Sequence, residues 1–190
     1  MNPFSEVVEA KEAGSGAAGE VKETKETGNE AKEAGNKTKG FENTANDVSE
    51  PEHIKTVNES MEGKTYPGTD VKYEKRVLRV NGKKVEGVFP EFESKFDICM
   101  PKDMWKASDN EQFKYCTEKL KERIENDPEF AKQFTPRQIA QIKDGAPRIS
   151  GLTWHHNETP GKMQLVDAKT HDTCRHTGGR SIWGGGSGCR

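Results

Sequence analysis

Tryptophan and tyrosine are absent from the first 60 residues, and Phe4 and Phe41 are the only phenylalanines there. So few large apolar side chains exclude a packed core in that stretch. It also repeats itself: EAKEAG at Glu9 to Gly14 returns at Glu30 to Gly35, with VKETKETG between. The Ala/Glu/Lys mixture resembles helix-forming sequence. However, Gly14, Gly16, Gly19, Gly28, Gly35 and Gly40 interrupt it, each costing about 1 kcal/mol relative to Ala. Residues 1–65 are therefore expected to be a disordered low-complexity linker and residues 66–190 the folded domain.

Other absences narrow the class. Hydrophobic residues make up 30% of the 190 residues and mean hydropathy is -1.01, so the folded part is small for the chain's length. No run approaches the roughly 20 apolar residues of a membrane span, which predicts a soluble chain. The opening MNPFSEVVEAKE lacks the charged start and apolar run of a secretory signal, leaving the cytoplasm or a specialised secretion route. Cys99, Cys116, Cys174 and Cys189 form no CxxC pair and no dense framework, which suits reduced thiols.

The charge is divided unevenly. Seven Lys face thirteen Asp and Glu in residues 1–60, a net of -6, while the remainder carries 23 basic against 19 acidic residues, a net of +4. A basic folded part is the electrostatic minimum for meeting phosphates, though alone it is a weak signal.

From residue 73 the pattern changes. KRVLRVNGKKVEGVF alternates apolar and polar residues around Asn81-Gly82, which predicts a β-hairpin from about Tyr73 to Phe89, after a loop-like stretch from Pro51 to Asp70. Phe92, Phe96, Ile98 and Met100 mark another strand. Ser108-Asp109-Asn110-Glu111 is a capping box, and Phe113, Cys116, Leu120 and Ile124 give the helix behind it one buried face, to about Asn126. Asp127-Pro128 and Thr135-Pro136 each open a short helix, the second closing near Gly145. Then come a strand from Leu152 to His156, a turn through Pro160-Gly161, a strand from Lys162 to Val166, and a helix from about Asp167.

Four of the five histidines lie within this last unit, at 155, 156, 171 and 176. Clustered imidazoles serve a metal site or proton transfer near neutral pH. Neighbours in a regular strand point to opposite faces, so His155 and His156 share one site only if the chain bends there, a bend the NETPG sequence is expected to supply. His171 and His176 converge only if the helix ends between them, which Thr177-Gly178-Gly179 permits. The expected result is a ββα arrangement around one divalent cation. Three histidines plus a water is the open, catalytic type of coordination, and the fourth histidine is then left to act as a base, the two parts phosphodiester hydrolysis needs.

TWHH, PGKMQLV, and a His followed five residues later by HTGG and an Arg resemble the WHH group of the HNH/endonuclease VII superfamily, often found as C-terminal toxin domains of bacterial polymorphic toxins. The likeness is close over residues 151–184, and FKYCTEKLKERIENDPEFAKQFTPRQIAQI is similar to the region preceding the motif in such toxins. It implies an α+β fold in which a hairpin and helical scaffold lead into a C-terminal ββα-metal, or His-Me finger, motif. It implies His155, His171 and His176 as metal ligands and His156 as general base. Gln164 stands where the superfamily's central Asn ties the hairpin together and so holds the base. Arg180 and Lys162 become candidates for phosphate contacts, which a guanidinium fork suits better than an ammonium.

The implied activity is endonuclease cleavage of DNA, with RNA as the alternative polymer. The implied cofactor is one divalent ion, Mg, Mn, Ni or Zn, and the implied protein partner is a cognate immunity protein. Cys174 supports a different reading, because a thiolate three residues after His171 could complete a closed zinc site in a non-enzymatic module binding nucleic acid or protein. Trp154 and Trp183 are expected to pack at the base of the site, with stacking on nucleotides as the other use.

Overall fold

The computed structural model describes residues 49–189, so residues 1–48 of the linker expected over residues 1–65 lie outside the described residues. The fold is α+β, with two three-stranded sheets and helices grouped on one of them.

The first sheet is built on the hairpin β2 (Lys72–Val80) and β3 (Lys83–Glu91), paired antiparallel from Val80↔Lys83 to Lys72↔Glu91. Asn81 and Gly82, at φ 51° and 82°, make the tight turn between them. A two-residue strand, β1 (Glu52–His53), adds to β3 in parallel, and a 3-10 turn follows at Glu59–Met61. The segment from 51 to 65, grouped with the linker on composition, thus carries ordered elements against β3. Their brevity left no periodicity to read.

The second sheet has the order β4-β6-β5, from β4 (Ser94–Cys99), β5 (Leu152–His156) and β6 (Lys162–Asp167), all antiparallel. Between β4 and β5 run α1 (Asp109–Asn126), α2 (Pro128–Ala131) and α3 (Pro136–Lys143). Both hydrogen bonds of the Ser108/Glu111 capping box form, and Thr135 and Gln138 make a second box ahead of α3. The buried face of α1 joins Trp154, Met163 and Leu165 in the main core, and each such side chain contributes about 1.5–3 kcal/mol when fully buried. A second cluster of Val71, Tyr73, Val88, Phe92, Val166 and Cys174 fills the opposite side of the second sheet. After β6 come α4 (Ala168–Thr173) and the short α5 (Gly179–Ile182).

Candidate metal centre

The hairpin of β5 and β6 sets the frame. His155 pairs with Gln164, and Gln164 with Asp97 of β4, so these three side chains form one row on the face bearing Val166. Alternation sends Trp154 and His156 to the other face, toward α1. The bend expected between His155 and His156 does not occur: β5 runs regularly through both, and the chain turns only after them, through Asn157 to Gly161. Gly161 takes φ +80° there.

The side chain of Asp167 caps α4 by accepting from the Thr170 amide at 2.8 Å, and the helix stops at Cys174, where the backbone turns extended (φ -87°, ψ 92°). His171 on the helix and His176 beyond it then reach the same point. The glycine pair thought to end this helix does another job. Gly178 is extended, and Gly179 opens α5 where a Cβ would overlap both the Asn157 carbonyl and the Trp183 indole.

His155 Nδ1 lies 3.3 Å from His171 Nε2 and 3.3 Å from His176 Nε2, and one nitrogen of each ring falls within 4.8 Å of the others. Tetrahedral nitrogen ligands about 2.0–2.1 Å from a cation stand about 3.3–3.4 Å apart, so the spacing suits a first-row divalent ion. The Nδ1–H of His176 donates to the Cys174 carbonyl at 2.6 Å, which leaves the Nε2 lone pair facing the cluster. Among the described residues, His155 Nε2 is buried with no hydrogen-bond partner. The ring of Phe92 backs all three imidazoles, with centroids at 4.9, 5.4 and 5.2 Å from His155, His171 and His176.

Burial decides the protonation of the three. It holds His155 well below its ordinary value, helped by the neighbouring imidazoles, and lowers His171 against the pull of Asp172. It pushes His176 down to about 4. Neutral imidazole is the form that binds a metal.

His156 belongs to a different network. Its Nε2 lies 2.6 Å from Gln112 Oε1 and 4.0 Å from Asp109, and its ring sits near Phe113 and Trp183. Arg180 enters the same network. It is 5% exposed, its Nη1 donates to Gln112 Oε1 at 3.1 Å and to the Ala107 carbonyl at 3.2 Å, and its Nη2 faces Asp109 at 3.3 Å and donates to the Cys189 carbonyl. The four histidines, Arg180, Arg148 and Arg175 line one cavity of about 760 Å³.

The remaining sequence candidates fall elsewhere. Lys162 pairs with Asp97 at 2.8 Å and does not line that cavity. Although burial opposes it, the hydrogen bonds from Lys162, Ser94 and Gln164 hold the Asp97 carboxyl below its ordinary value. Gln164 accepts from Asn157 Nδ2 at 2.9 Å and donates to Asp97 at 3.2 Å, bracing the β5–β6 turn. Cys174 turns its thiol into the second core cluster, 3.7 Å from the Thr69 hydroxyl, and only its backbone carbonyl serves the histidines. A closed zinc site completed by Cys174 has no support in this arrangement. Trp154 and Trp183 are buried, their indole N–H groups donating to Thr117 and to the Asn157 carbonyl. The hydrogen bonds of these two indoles are those of packing residues.

Sequence reasoning missed Gln112, Asp109 and Phe92. For Gln112 a signal existed: it stands four residues before Cys116 and eight before Leu120, a polar side chain on the apolar stripe of α1.

The α+β domain thus presents a convergent imidazole cluster that could hold a metal ion, beside a buried arginine, in a cavity lined by Arg148, Arg175 and Arg180 together with Asp109 and Asp172. Residues 81–178 match the family model described as the DNase/tRNase domain of colicin-like bacteriocin, more than half of the chain, and the chain belongs to that family. It is a nuclease domain of the bacteriocin toxin class, which carries with it a nucleic-acid substrate and an immunity-protein partner. No curated protein and no solved structure matches the chain. Among the described residues no helix is long and apolar enough to cross a membrane.

Proposed function

We propose that this domain is a metal-dependent endonuclease of the HNH type, in its WHH form, that cuts DNA as the toxic part of a delivered bacterial effector. The observation that supports this most is the convergence of His155, His171 and His176 on one point within 4.8 Å, beside a fourth histidine on the same strand. His155, His171 and His176 hold the cation, whose identity among Mg, Mn, Ni and Zn is a matter of availability as much as affinity. When bound, the cation neutralises charge on the phosphate and the leaving oxygen. His156 takes a proton from the water that attacks phosphorus, the P–O bond to the leaving oxygen breaks, and that oxygen gains a proton from solvent. Gln164 braces the turn that carries the strand end, and Arg180, held in the cavity wall by Gln112 and Asp109, acts on the phosphate through its positive charge. Lys162, tied to Asp97, serves the scaffold in this reading.

The domain runs on from residue 66 and takes in the short segment on β3 as its edge, with the tract ahead of that segment serving as tether. A cognate immunity protein that covers the cavity protects the producing cell. RNA is the second polymer, since the family's description names both DNase and tRNase and a phosphodiester is common to both. The deciding experiment incubates the purified protein with supercoiled plasmid and with total RNA, each with Mg²⁺, Mn²⁺, Ni²⁺ or Zn²⁺ and with chelator. Nicked plasmid in at least one metal and none with chelator is expected. Cutting of RNA alone moves the substrate assignment, and no cleavage of either polymer overturns the reading.

A further inference from the structure

We infer that Gln112 is a positioning residue that fixes His156 in the tautomer protonated at Nε2, so that Nδ1 is the nitrogen that accepts the proton; this rests on the reading of His156 as the general base.

The inference follows from what surrounds one buried amide. Gln112 is fully buried on α1. Its Nε2 sits 2.8 Å from the Met104 carbonyl and 2.9 Å from the Trp105 carbonyl, and a carbonyl oxygen can only accept. Both protons of the amide nitrogen are therefore committed to these two oxygens. Rotating the amide by half a turn would set its oxygen against two acceptors, so its orientation is fixed. Oε1 must then face the opposite way, where Arg180 Nη1 lies at 3.1 Å. A guanidinium only donates, which requires the same orientation independently.

Oε1 also stands 2.6 Å from His156 Nε2, and an amide oxygen beside a ring nitrogen demands an N–H on that nitrogen. In the neutral ring the lone pair is therefore on Nδ1. The carbonyls that orient Gln112 belong to the chain just ahead of α1, where Ser108 and its capping box fix the start of the helix. Cap, amide and imidazole thus form one line of constraint from scaffold to base. Arg180 shares the acceptor, so the same oxygen also holds the buried guanidinium beside the ring.

The test reads the tautomer directly. In the full ¹⁵N-labelled chain, long-range proton–nitrogen correlation at a pH where the ring is neutral should show His156 with a protonated-type Nε2 and an unprotonated-type Nδ1, the signals being assigned by their loss in His156→Ala. The nearly isosteric Gln112→Met, which removes the acceptor, should mix the tautomers and lower kcat on plasmid roughly tenfold to a hundredfold, with metal affinity unchanged. A wild-type ring protonated at Nδ1 overturns the inference, as does Gln112→Met protein that cuts at the wild-type kcat. Where Gln112→Met does not fold, the wild-type spectrum decides alone. Full cleavage by His156→Ala sinks the base assignment instead, and the spectrum still reports whether Gln112 sets the tautomer.

Discussion

His155 and His156 are adjacent in the chain and serve opposite faces of one strand: Nδ1 of the first lies 3.3 Å from two other imidazoles, while Nε2 of the second lies 2.6 Å from Gln112. The alternation of a regular strand therefore separates two chemistries by one residue. His155→Ala should lower metal affinity by more than the tenfold to hundredfold that loss of an outer-shell partner costs, roughly, and abolish cutting with it. His156→Ala should keep the metal and lose about 10²–10⁴ in kcat. Metal titration by calorimetry beside a plasmid-nicking assay separates the two, and equal metal loss in both variants would contradict the separation.

The buried imidazoles make the metal-free protein sensitive to acid. Burial depresses His155, His171 and His176 in the fold, with His176 at about 4, against 6.5 for the ordinary side chain. Between those values the unfolded chain binds protons that the folded one refuses, so stability is complete above pH 6.5 and falls as pH drops toward 4. For His176 alone this is on the order of 3 kcal/mol. Urea denaturation of chelator-treated protein at pH 7.5, 5.5 and 4 should show the loss. Because the rings are already neutral at pH 7, metal binding there should release close to no protons, which calorimetry in buffers of different ionisation enthalpy checks.

The elements were legible wherever local chemistry fixes them. Asn81-Gly82 set the hairpin register, Ser108 and Glu111 set the start of α1, and prolines at 128 and 136 opened the next two helices. The site was legible in part. That His171 and His176 need a helix end between them is a matter of 100° per residue, and the helix does end there. What ends it is an extended Cys174 rather than the glycine pair, at a residue that joins Val71, Tyr73 and Val88 in a cluster built across the fold. Asp109 was illegible as a site residue because α1 reaches β5 only through the tertiary fold, and Gln112 showed only as a polar break in the apolar stripe of that helix. Lys162 was a candidate for phosphate contact, and nothing local announces its pairing with Asp97 across the sheet.

Cys174 distinguishes a structural thiol from a metal ligand. Burial raises its pKa, and its sulfur lies among apolar side chains near Thr69. Cys174→Ser puts a hydroxyl into that cluster and should cost about 1–3 kcal/mol of stability. Zinc and nickel affinities should stay within twofold of wild type. Loss of metal in the folded Ser variant would restore the closed zinc-site reading.

Phe92 tests whether the triad is held from behind. Its ring touches all three imidazoles and is 8% exposed, so Phe92→Ala should cost about 3–5 kcal/mol and leave the rings without a wall. Phe92→Leu keeps most of the volume and should retain the fold with weaker metal binding. Unfolding curves and metal titrations on the two variants separate packing from ring contact, and Leu protein with unaltered affinity would show that volume alone suffices.

Gly179 carries a steric demand that the sequence disguises as helix termination. Its φ is ordinary, so the requirement is space: a Cβ would overlap the Asn157 carbonyl and the Trp183 indole, which are joined over the glycine by a 2.9 Å hydrogen bond. Gly179→Ala must displace one of them. Moving Trp183 opens the main core, and moving Asn157 pulls on its bond to Gln164 and on His156 next to it in the chain. Overpacking of this kind costs about 1–3 kcal/mol. Because the same contact anchors the end of β5, nicking activity should fall further than the loss of folded protein explains at a temperature where the variant is still mostly native. Circular dichroism melts and kcat measured on the same samples compare the two, and an Ala variant that melts and cuts like wild type would refute the contact.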